Sequence, residues 1–483
     1  MNRKMICYML GQLIKLEGAL MVLPMICSIV NRERESMTAF AVTIIFALAV
    51  GFLLTAMNRK CDRTIYAREG FVITALTWVV YSIIGAAPFV ISGAIPGPID
   101  AFFETVSGFT TTGASILTEV ESLDKGILFW RSFTHWIGGM GILVLMMAIL
   151  SDNTGRSIHI MRAEMPGPIV DKITPRIKNT AKTLYLIYFA ITVIEVIFLL
   201  CGGMSLYDSL VHTFGTVGTG GFGIKNDSIA GYSPYLQWVI TIFMLLSGVN
   251  FNLYYLLLCR KYRRAFLSEE LWVYVGIVFI SVGLITLNIA PLYDTASETL
   301  RQAAFQVSSI VTTTGYATAD FDLWPNLAKT ILFLLMFMGG CAGSTAGGLK
   351  VSRLVLLVKM GRRELHQLLH PRAVRVLKFE GKPLDNSTTR SVGTYFGLYC
   401  LCFMAFFLIL SCDPGAHLDF ETNFTAVSAC FNNIGPGFAA VGPTSNFSGY
   451  TDFSTILLSF AMLMGRLEIY PILLICFPGK IAK

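Results

Sequence analysis

Ten runs of about 20 mainly apolar residues dominate this chain of 483 residues, and each run is long enough to cross a lipid bilayer as a helix. The runs cover residues 5–30, 38–57, 71–92, 128–150, 183–202, 233–258, 271–292, 326–349, 391–411 and 453–476. Hydrophobic residues make up 54% of the chain and charged residues 14%, whereas a soluble domain carries about 25% charged residues. A soluble protein of this size could not bury so much apolar surface. The sequence therefore predicts an all-α protein that crosses a membrane many times.

The distribution of positive charge predicts which loops lie in the cytoplasm. If the N-terminus is cytoplasmic, the inner segments hold 28 of the 37 Lys and Arg residues and the outer segments hold 5. Cytoplasmic loops carry such an excess, so we expect both termini to be cytoplasmic. Asp and Glu show the opposite bias, and an acidic outer face would concentrate cations, although acids that are only solvated give the same composition. The net charge of +7 therefore reflects topology and does not indicate binding to nucleic acid.

Four of the predicted outer segments resemble one another. Each contains a moderately apolar run of about 10–15 residues, too short to cross a bilayer, and then a tetrapeptide that ends in Gly. The four segments read PIDAFFETVSGFTTTGAS, SLYDSLVHTFGTVGTGGFG, SETLRQAAFQVSSIVTTTGYAT and FETNFTAVSACFNNIGPGF. The tetrapeptides are Thr110, Thr111, Thr112 and Gly113; Val217, Gly218, Thr219 and Gly220; Thr312, Thr313, Thr314 and Gly315; and Asn432, Asn433, Ile434 and Gly435.

Each unit of this repeat is expected to contain a membrane span, a re-entrant half-helix, the tetrapeptide and a second span, an arrangement written M1–P–M2. Such a unit starts and ends on one side of the membrane, so the four units share one orientation around a central pathway. Inverted-repeat transporters place their broken helices in opposite senses. The predicted organisation is two N-terminal helices with a cytoplasmic loop (1–70), repeat 1 (71–150), a cytoplasmic loop (151–182), repeat 2 (183–258), repeat 3 with a broken second helix (259–360), a cytoplasmic loop (361–390) and repeat 4 (391–483).

A tetrapeptide closed by Gly suits the lining of an ion pathway. Non-helical backbone at membrane depth is tolerated where it lines a water-filled cavity, and Gly adopts φ angles that let successive carbonyls point inwards. Rings of carbonyl oxygens replace the hydration shell of K⁺, while Thr hydroxyls add ligands or form hydrogen bonds behind the strand. The negative C-terminal ends of the half-helices also favour a cation. The alternative, a Ser/Thr/Gly motif that packs helices together, explains a single copy better than four equivalent copies.

The stretch 326–360 is too long and too rich in Gly to be one straight helix. Residues 339–348 read GGCAGSTAGG and contain Gly339, Gly340, Gly343, Gly347 and Gly348, each of which costs about 1 kcal/mol relative to Ala inside a helix. We expect a break here, in a loop below the third tetrapeptide that could obstruct the pathway. A close-packed Gly surface between helices is the alternative. Lys350, which follows the loop, is expected to reach the membrane surface with its ammonium group.

Arg466 lies near the middle of the last apolar run, where an ionisable residue is costly and usually functional. Glu468 is two positions away and points to a different face of a helix, so it is not expected to neutralise Arg466. An arginine that faces the pathway would form an electrostatic barrier to cations. The alternative is an arginine paired with an acid or with backbone carbonyls of another helix.

These residues, together with RAEMPGP (162–168), FMGGCAGSTAGGLKVSR (337–353) and LMGRLEIYP (463–471), resemble the Trk/Ktr/HKT superfamily of potassium transporters, and its Trk-type membrane subunit in particular. The resemblance covers essentially the whole chain. It implies a potassium-uptake protein of the bacterial inner membrane, a homodimer regulated by a cytoplasmic nucleotide-binding (TrkA-like) subunit. The four tetrapeptides would then form the K⁺-binding selectivity filter, and residues 339–348 with Arg466 would form the gate. It implies no metal besides potassium and no cofactor.

Gated, passive permeation of K⁺ is the expected function, and a coupled K⁺/H⁺ or K⁺/Na⁺ symporter is the alternative. A symporter would use buried acids for the coupling ion, and Glu17 and Glu195 lie within apolar runs without an obvious pairing. An enzyme is not expected, because the Gly-rich stretch lacks the GK[ST] ending of a phosphate loop and no Ser/His/Asp set can be read. Asn432 and Asn433 replace Thr in the fourth tetrapeptide. We therefore expect only approximate symmetry and less stringent K⁺/Na⁺ discrimination than in a symmetric filter.

Overall fold

A computed structural model describes residues 2–61, 67–142, 144, 177–372, 376–415 and 418–476. Within these ranges the protein is mostly helical, as the apolar runs predict, and a small hairpin pairs β1 (Lys378–Phe379) with β2 (Lys382–Pro383). The motif RAEMPGP (162–168) and most of the predicted cytoplasmic loop 151–182 lie outside the described residues.

Three helices open the chain: α1 (Arg3–Leu20), α2 (Val22–Asn31) and α3 (Arg34–Met57). The first two form one apolar span that is interrupted at Met21. Pro24 accounts for this interruption, because it has no N–H to donate to the carbonyl of Leu20. Helices α1 and α3 pack closely at Gly11 and Gly51, where a Cβ on either residue would lie 2.9 Å from the other residue's carbonyl oxygen.

The chain then passes four times through a long helix, a short helix and a further helix. The first group is α4 (Ala67–Ile91), α5 (Pro98–Phe109) and α6 (Lys125–Gly139). The second is α7 (Ile177–Cys201), α8 (Leu206–Val217), α9 (Pro234–Ser247) and α10 (Phe251–Leu258). The third is α11 (Tyr262–Phe266), α12 (Glu269–Ile289), α13 (Ala296–Val311), α14 (Asn326–Met336) and α15 (Val351–Leu369). The fourth is α16 (Asn386–Ser411), α17 (Phe420–Asn432), α18 (Asp452–Arg466) and α19 (Tyr470–Cys476).

Six helical segments in the described part of the chain are long and apolar enough to cross a membrane. They are Arg3–Asn31, Arg34–Met57, Glu69–Ile91, Ala181–Cys201, Glu269–Leu292 and Asn386–Ser411. Their outward faces are apolar: Ile45, Phe279 and Leu401 are 69%, 72% and 68% exposed. A helix that is apolar on all sides belongs in a protein core or in lipid, and these three side chains are not covered by the described part of the chain. The chain is therefore a multi-pass membrane protein.

The other predicted spans are shorter or broken helices. Run 233–258 is bent by 90° between α9 and α10, and run 453–476 is interrupted between α18 and α19, so the prediction of one continuous span is wrong for both. Helix α6 ends at Gly139, inside run 128–150, most of whose remainder lies outside the described residues. Helix α14 ends at Met336 and α15 begins at Val351, which confirms the break predicted from the Gly-rich stretch.

The short helices α5, α8, α13 and α17 are buried over most of their length. Their starts are fixed locally: Ser205, Thr295 and Asp419 each accept the backbone N–H three residues further on, as N-cap residues do. Helix α5 instead begins with Pro98, which suits the first position of a helix. The C-terminal ends of these four helices carry the tetrapeptide segments.

Candidate functional site

The four segments that follow the short helices share one backbone conformation. The second residue of each segment has a φ of 54–57° and the fourth is a Gly with a φ of 78–99°. The second residues are Thr111, Thr219, Thr313 and Asn433, and the fourth are Gly113, Gly221, Gly315 and Gly435. In every segment the third residue donates its N–H to the carbonyl five residues earlier, at 2.8–2.9 Å.

This equivalence corrects the register of the second tetrapeptide by one residue. The sequence placed it at 217–220, but Val217 is still the last residue of α8, because the N–H of Gly218 continues the helical pattern to the carbonyl of Phe214. The equivalent segment is 218–221, and Gly221 replaces Gly220 as the closing residue. Two adjacent glycines made either position possible in the sequence, and in the structure it is Gly221 that has the positive φ.

The segments 110–113, 218–221, 312–315 and 432–435, called the ring below, close on one another. A Cβ added to each closing Gly would approach the carbonyl oxygen of the third residue in the next segment. The distances are 2.0 Å from Gly113 to Gly220, 2.0 Å from Gly221 to Thr314, 2.1 Å from Gly315 to Ile434 and 2.8 Å from Gly435 to Thr112. The fourth segment thus returns to the first, and the first three closing positions leave no room for a side chain beside the neighbouring backbone.

A cavity of about 170 Å³ opens at one end of the ring. Its wall includes all four closing glycines, Gly113, Gly221, Gly315 and Gly435, together with the loops that follow the segments. Gly220 does not contribute to this wall, in agreement with the corrected register. The cavity therefore gives access to the closing end of every segment.

Side chains at the first position of three segments turn back towards their helices. Thr110, Thr312 and Asn432 donate to the carbonyl four residues earlier at 2.7, 2.6 and 3.0 Å. Asn432 thus makes the same contact as the threonines that it replaces, and its other amide atom accepts from the Tyr399 hydroxyl at 2.7 Å. These side chains brace the ring from behind.

The second position of each segment stores backbone strain. Three of the four residues there are threonines, and a β-branched residue is rarely found at positive φ. The left-handed conformation costs about 1–2 kcal/mol per residue. Strain of this kind collects at functional sites.

The Gly-rich loop, residues 337–350, lies at the end of the ring opposite the cavity. The N–H of Gly347 donates to the Thr313 hydroxyl at 2.6 Å. A Cβ on Gly347 would lie 2.6 Å from the carbonyl oxygen of Asn432. The loop therefore contacts the third and fourth segments directly.

The same loop fills the break between α9 and α10. The N–H of Cys341 donates to the carbonyl of Gly248 at 2.8 Å, and the N–H of Phe251 donates to that of Gly343 at 3.0 Å. The end of α9 and the start of α10 thus find their hydrogen-bond partners in the loop, which explains why the apolar run 233–258 does not form one helix. Gly248 followed by the N-cap residue Asn250 was the available sequence signal.

Arg466 is the last residue of α18 and binds backbone carbonyls. Its guanidinium donates to Thr345 of the Gly-rich loop at 2.7 Å and, at the end of α6, to Gly138 at 2.6 Å and Gly139 at 2.8 Å. This is the second of the two arrangements considered for Arg466. Glu468 accepts from Arg353 at 2.6 Å.

Two buried residues that sequence reasoning did not place at this site also hold the loop. Lys350 is 1% exposed and donates through Nζ to the carbonyls of Ala346 and Gly347, so the prediction that its ammonium group reaches the surface is wrong. Glu270, at the start of α12, accepts the N–H groups of Ala342 at 2.7 Å and Ser352 at 2.9 Å. No local pattern signals either contact, because each joins elements that are brought together by the fold.

Comparison with known proteins identifies the family. The sequence model of the TrkH family, described as cation transport proteins, matches residues 36–479. The chain belongs to this family. It is 39% identical over 485 residues to the Trk system potassium uptake protein TrkH of Salmonella typhimurium, with 99% of both chains covered. It is 35% identical over 482 residues to the Trk system potassium uptake protein TrkG of Escherichia coli K12, covering 98% of this chain and 97% of the relative.

A solved structure of the family has the same fold. The crystal structure of the potassium transporter TrkH from Vibrio parahaemolyticus superposes with a TM-score of 0.88 at 32% identity, over 99% of both chains. The resemblance to Trk-type membrane subunits read from the sequence is thereby confirmed.

Proposed function

We propose that this chain carries K⁺ across the bacterial inner membrane through a pathway along the axis of the ring. Each segment, with the helices on either side of it, forms one M1–P–M2 repeat, and the four repeats share one orientation around the pathway. The observation that carries the proposal is the closed ring, in which each closing Gly contacts the third carbonyl of the next segment. The relatives named as potassium uptake proteins support K⁺ as the transported ion.

The chemistry of the ring suits a dehydrated monovalent cation. Four buried helices end at the segments, and the partial negative charge of each C-terminal end favours a cation. Thr110, Thr312 and Asn432 direct their side chains to their own helices, so the backbone carbonyls supply the main ligands for K⁺. Gly220 and Ile434 take the places of Thr112 and Thr314. The resulting asymmetry supports a modest discrimination between K⁺ and Na⁺.

The Gly-rich loop is the gate of this pathway. It contacts the ring through Gly347, and three consecutive carbonyls of the loop are bound by cationic side chains: Arg466 binds Thr345, and Lys350 binds Ala346 and Gly347. The arrangement is a closed state, since permeation past the ring requires the loop to leave these contacts. Its glycines make that movement conformationally inexpensive.

A cytoplasmic nucleotide-binding subunit, of the TrkA-like type, would drive that movement. The predicted inner segments 151–182 and 350–390 together hold 16 Lys and Arg residues, and α15 extends the Gly-rich loop directly into the second of them. Docking there would pull on the gate through one continuous helix. We also propose that the chain is a homodimer with both termini in the cytoplasm.

Bi-ionic reversal potentials in planar bilayers test the ring. With K⁺ on one side and Na⁺ on the other, wild-type protein should give a reversal potential that favours K⁺. Gly315→Ala should reduce this preference, because the new Cβ would lie 2.1 Å from the carbonyl oxygen of Ile434. Gly276→Ala in α12 is the matched control, since a Cβ at Gly276 meets nothing within 4 Å.

Two results would contradict the proposal. If alanine at each of the four closing glycines left K⁺ uptake and Na⁺ exclusion unchanged, the ring would not be the filter. If the reversal potential followed an imposed proton or Na⁺ gradient together with K⁺, transport would be coupled and not passive.

A further inference from the structure

Two polar side chains on α6 face the chain that follows the second segment. Arg131 and His135 lie one helical turn apart and are 4% and 0% exposed. Both also contact α5, where Glu104 and Gly108 are again four residues apart, so each pair lies on one face of its helix. The two helices thereby hold residues 222 and 223 through two neighbouring sets of contacts.

Arg131 and Glu104 make the first set of contacts. The Nε atom of Arg131 donates to Glu104 at 2.5 Å, Nη1 donates to the carbonyl of Gly223 at 2.9 Å, and Nη2 donates to the Ser115 hydroxyl at 3.0 Å. The other carboxylate oxygen of Glu104 accepts the N–H of Ile116 at 2.8 Å. This buried ion pair therefore joins the chain after the first segment to the chain after the second.

His135 makes the second set of contacts. Its Nδ1 lies 2.8 Å from the carbonyl of Gly108, and its Nε2 lies 3.2 Å from the N–H of Phe222. One arrangement satisfies both contacts, a neutral imidazole with its proton on Nδ1. The aromatic side chain of Phe222 lies between the two sets of contacts. Its centre is 4.2 Å from that of the imidazole and 3.6 Å from the guanidinium carbon of Arg131.

The imidazole of His135 also contacts the ring of four segments directly. A Cβ on Gly220 would lie 2.1 Å from Cγ of His135, so the histidine packs against the backbone of the second segment from behind. Residues 220–223 are thus fixed on one side by the imidazole and at their end by the guanidinium.

The second segment needs external support more than the other three. The first residue of each other segment braces itself through a side chain, whereas the second segment has Gly218 at that position and Gly220 and Gly221 after it. Glycine has the largest backbone freedom of all residues. Without support, the carbonyl of Gly220, which faces Gly113 in the ring, would sample a wide range of orientations.

We infer that Glu104, Arg131 and His135 form a clamp that positions the second segment and sets the selectivity of the ring between K⁺ and Na⁺. They are positioning residues and act through the backbone of residues 220–223. The inference rests on the proposed function of the ring. Loosening the clamp should widen the range of carbonyl positions, so that Na⁺ is coordinated better while K⁺ still passes.

Graded variants test the clamp. His135→Phe keeps an aromatic side chain but removes both hydrogen bonds. His135→Asn keeps a hydrogen-bond donor for the carbonyl of Gly108. Arg131→Met removes the guanidinium, and Arg131→Lys keeps the charge without the fork. The matched control is Thr192→Val, which removes the hydroxyl that accepts from Trp136 Nε1 at 3.0 Å, a contact of the same helix that does not involve the ring.

The readout is the K⁺/Na⁺ permeability ratio from bi-ionic reversal potentials. His135→Phe and Arg131→Met should each lower the ratio at least about fivefold, the factor that corresponds to the loss of a single neutral hydrogen bond, with K⁺ conductance retained. His135→Asn and Arg131→Lys should fall between these variants and wild type, and they carry the test if the severer variants do not fold. Thr192→Val should keep the wild-type ratio.

Two outcomes would overturn the clamp. One is an unchanged ratio in the conducting His135 and Arg131 variants. The other is an equal fall in Thr192→Val, which would indicate general loosening of α6. Failure of the proposed function would look different, since the wild-type protein itself would then show no preference for K⁺.

Discussion

The hydrogen bond from the Gly347 N–H to the Thr313 hydroxyl directly links the Gly-rich loop, the proposed gate, to the ring. Thr313→Val tests this link with little other change, because valine keeps the β-branched shape of the side chain. Thr111 has the same position and a φ of 55° in the first segment, and within the described residues its hydroxyl has no hydrogen-bond partner. Thr111→Val is therefore a control that makes the same substitution in the ring without touching the loop.

The expected magnitude follows from the loss of one neutral hydrogen bond. Such a bond contributes about 1 kcal/mol, and a buried N–H left without an acceptor costs about 1–3 kcal/mol. In the proposed gating, only the closed state holds Gly347 against Thr313, so the loss of the hydrogen bond destabilises the closed state relative to the open one. A difference of about 1 kcal/mol shifts the equilibrium between them about fivefold towards the open state.

Single-channel recording in planar bilayers measures this shift as open probability. Thr313→Val should raise the open probability of the isolated chain about fivefold, and Thr111→Val should leave it near the wild-type value. Equal open probabilities in the two variants, with both proteins folded and conducting, would refute the argument that the loop closes the pathway through Thr313.

Substitutions at three further positions probe the proposed gate and the ring. Arg466→Ala removes a charge-assisted bond to Thr345, worth about 1.5–3 kcal/mol, and should raise ⁸⁶Rb⁺ uptake into proteoliposomes about tenfold or more; equal or lower uptake by a folded variant would contradict a role in closing the gate. Glu270→Ala should also raise basal uptake, whereas Glu270→Gln, which keeps an acceptor oxygen, should stay near wild type. Gly221→Ala should lower the K⁺/Na⁺ permeability ratio, since its Cβ would lie 2.0 Å from the carbonyl oxygen of Thr314; an unchanged ratio would argue against the corrected register. Finally, capture of a cytoplasmic partner should weaken as added salt screens the basic segments, and capture that does not respond to salt would exclude docking by charge.

Much of the architecture could be read from local patterns. Apolar runs of bilayer length identify a membrane protein because lipid requires every backbone group to be paired within a helix. The four segments were visible because each combines a short apolar run with a Gly-closed tetrapeptide. The break near Gly339 was visible because glycines destabilise a helix wherever it is placed. These features depend on residues close together in the chain, and a sequence displays such residues side by side.

The one-residue error in the second segment shows what local sequence patterns cannot determine. Gly220 and Gly221 are chemically the same, and the choice between them depends on how far α8 extends and on which Gly meets Thr314 of the next segment. Likewise, an arginine in an apolar run signals function, but the sequence does not say whether Arg466 faces an open pathway or binds the carbonyl of Thr345.

The sequence by itself determined the class of protein, the four segments and the position of the loop. Only the tertiary structure decided the closing glycine of the second segment, the carbonyls that Arg466 and Lys350 bind, and the support of residues 220–223 by Arg131 and His135. The physical reason is that those contacts join groups far apart in the chain, as with Arg131 and Gly223. Hydrogen bonds of that kind depend on distances and directions that exist only once the helices have packed.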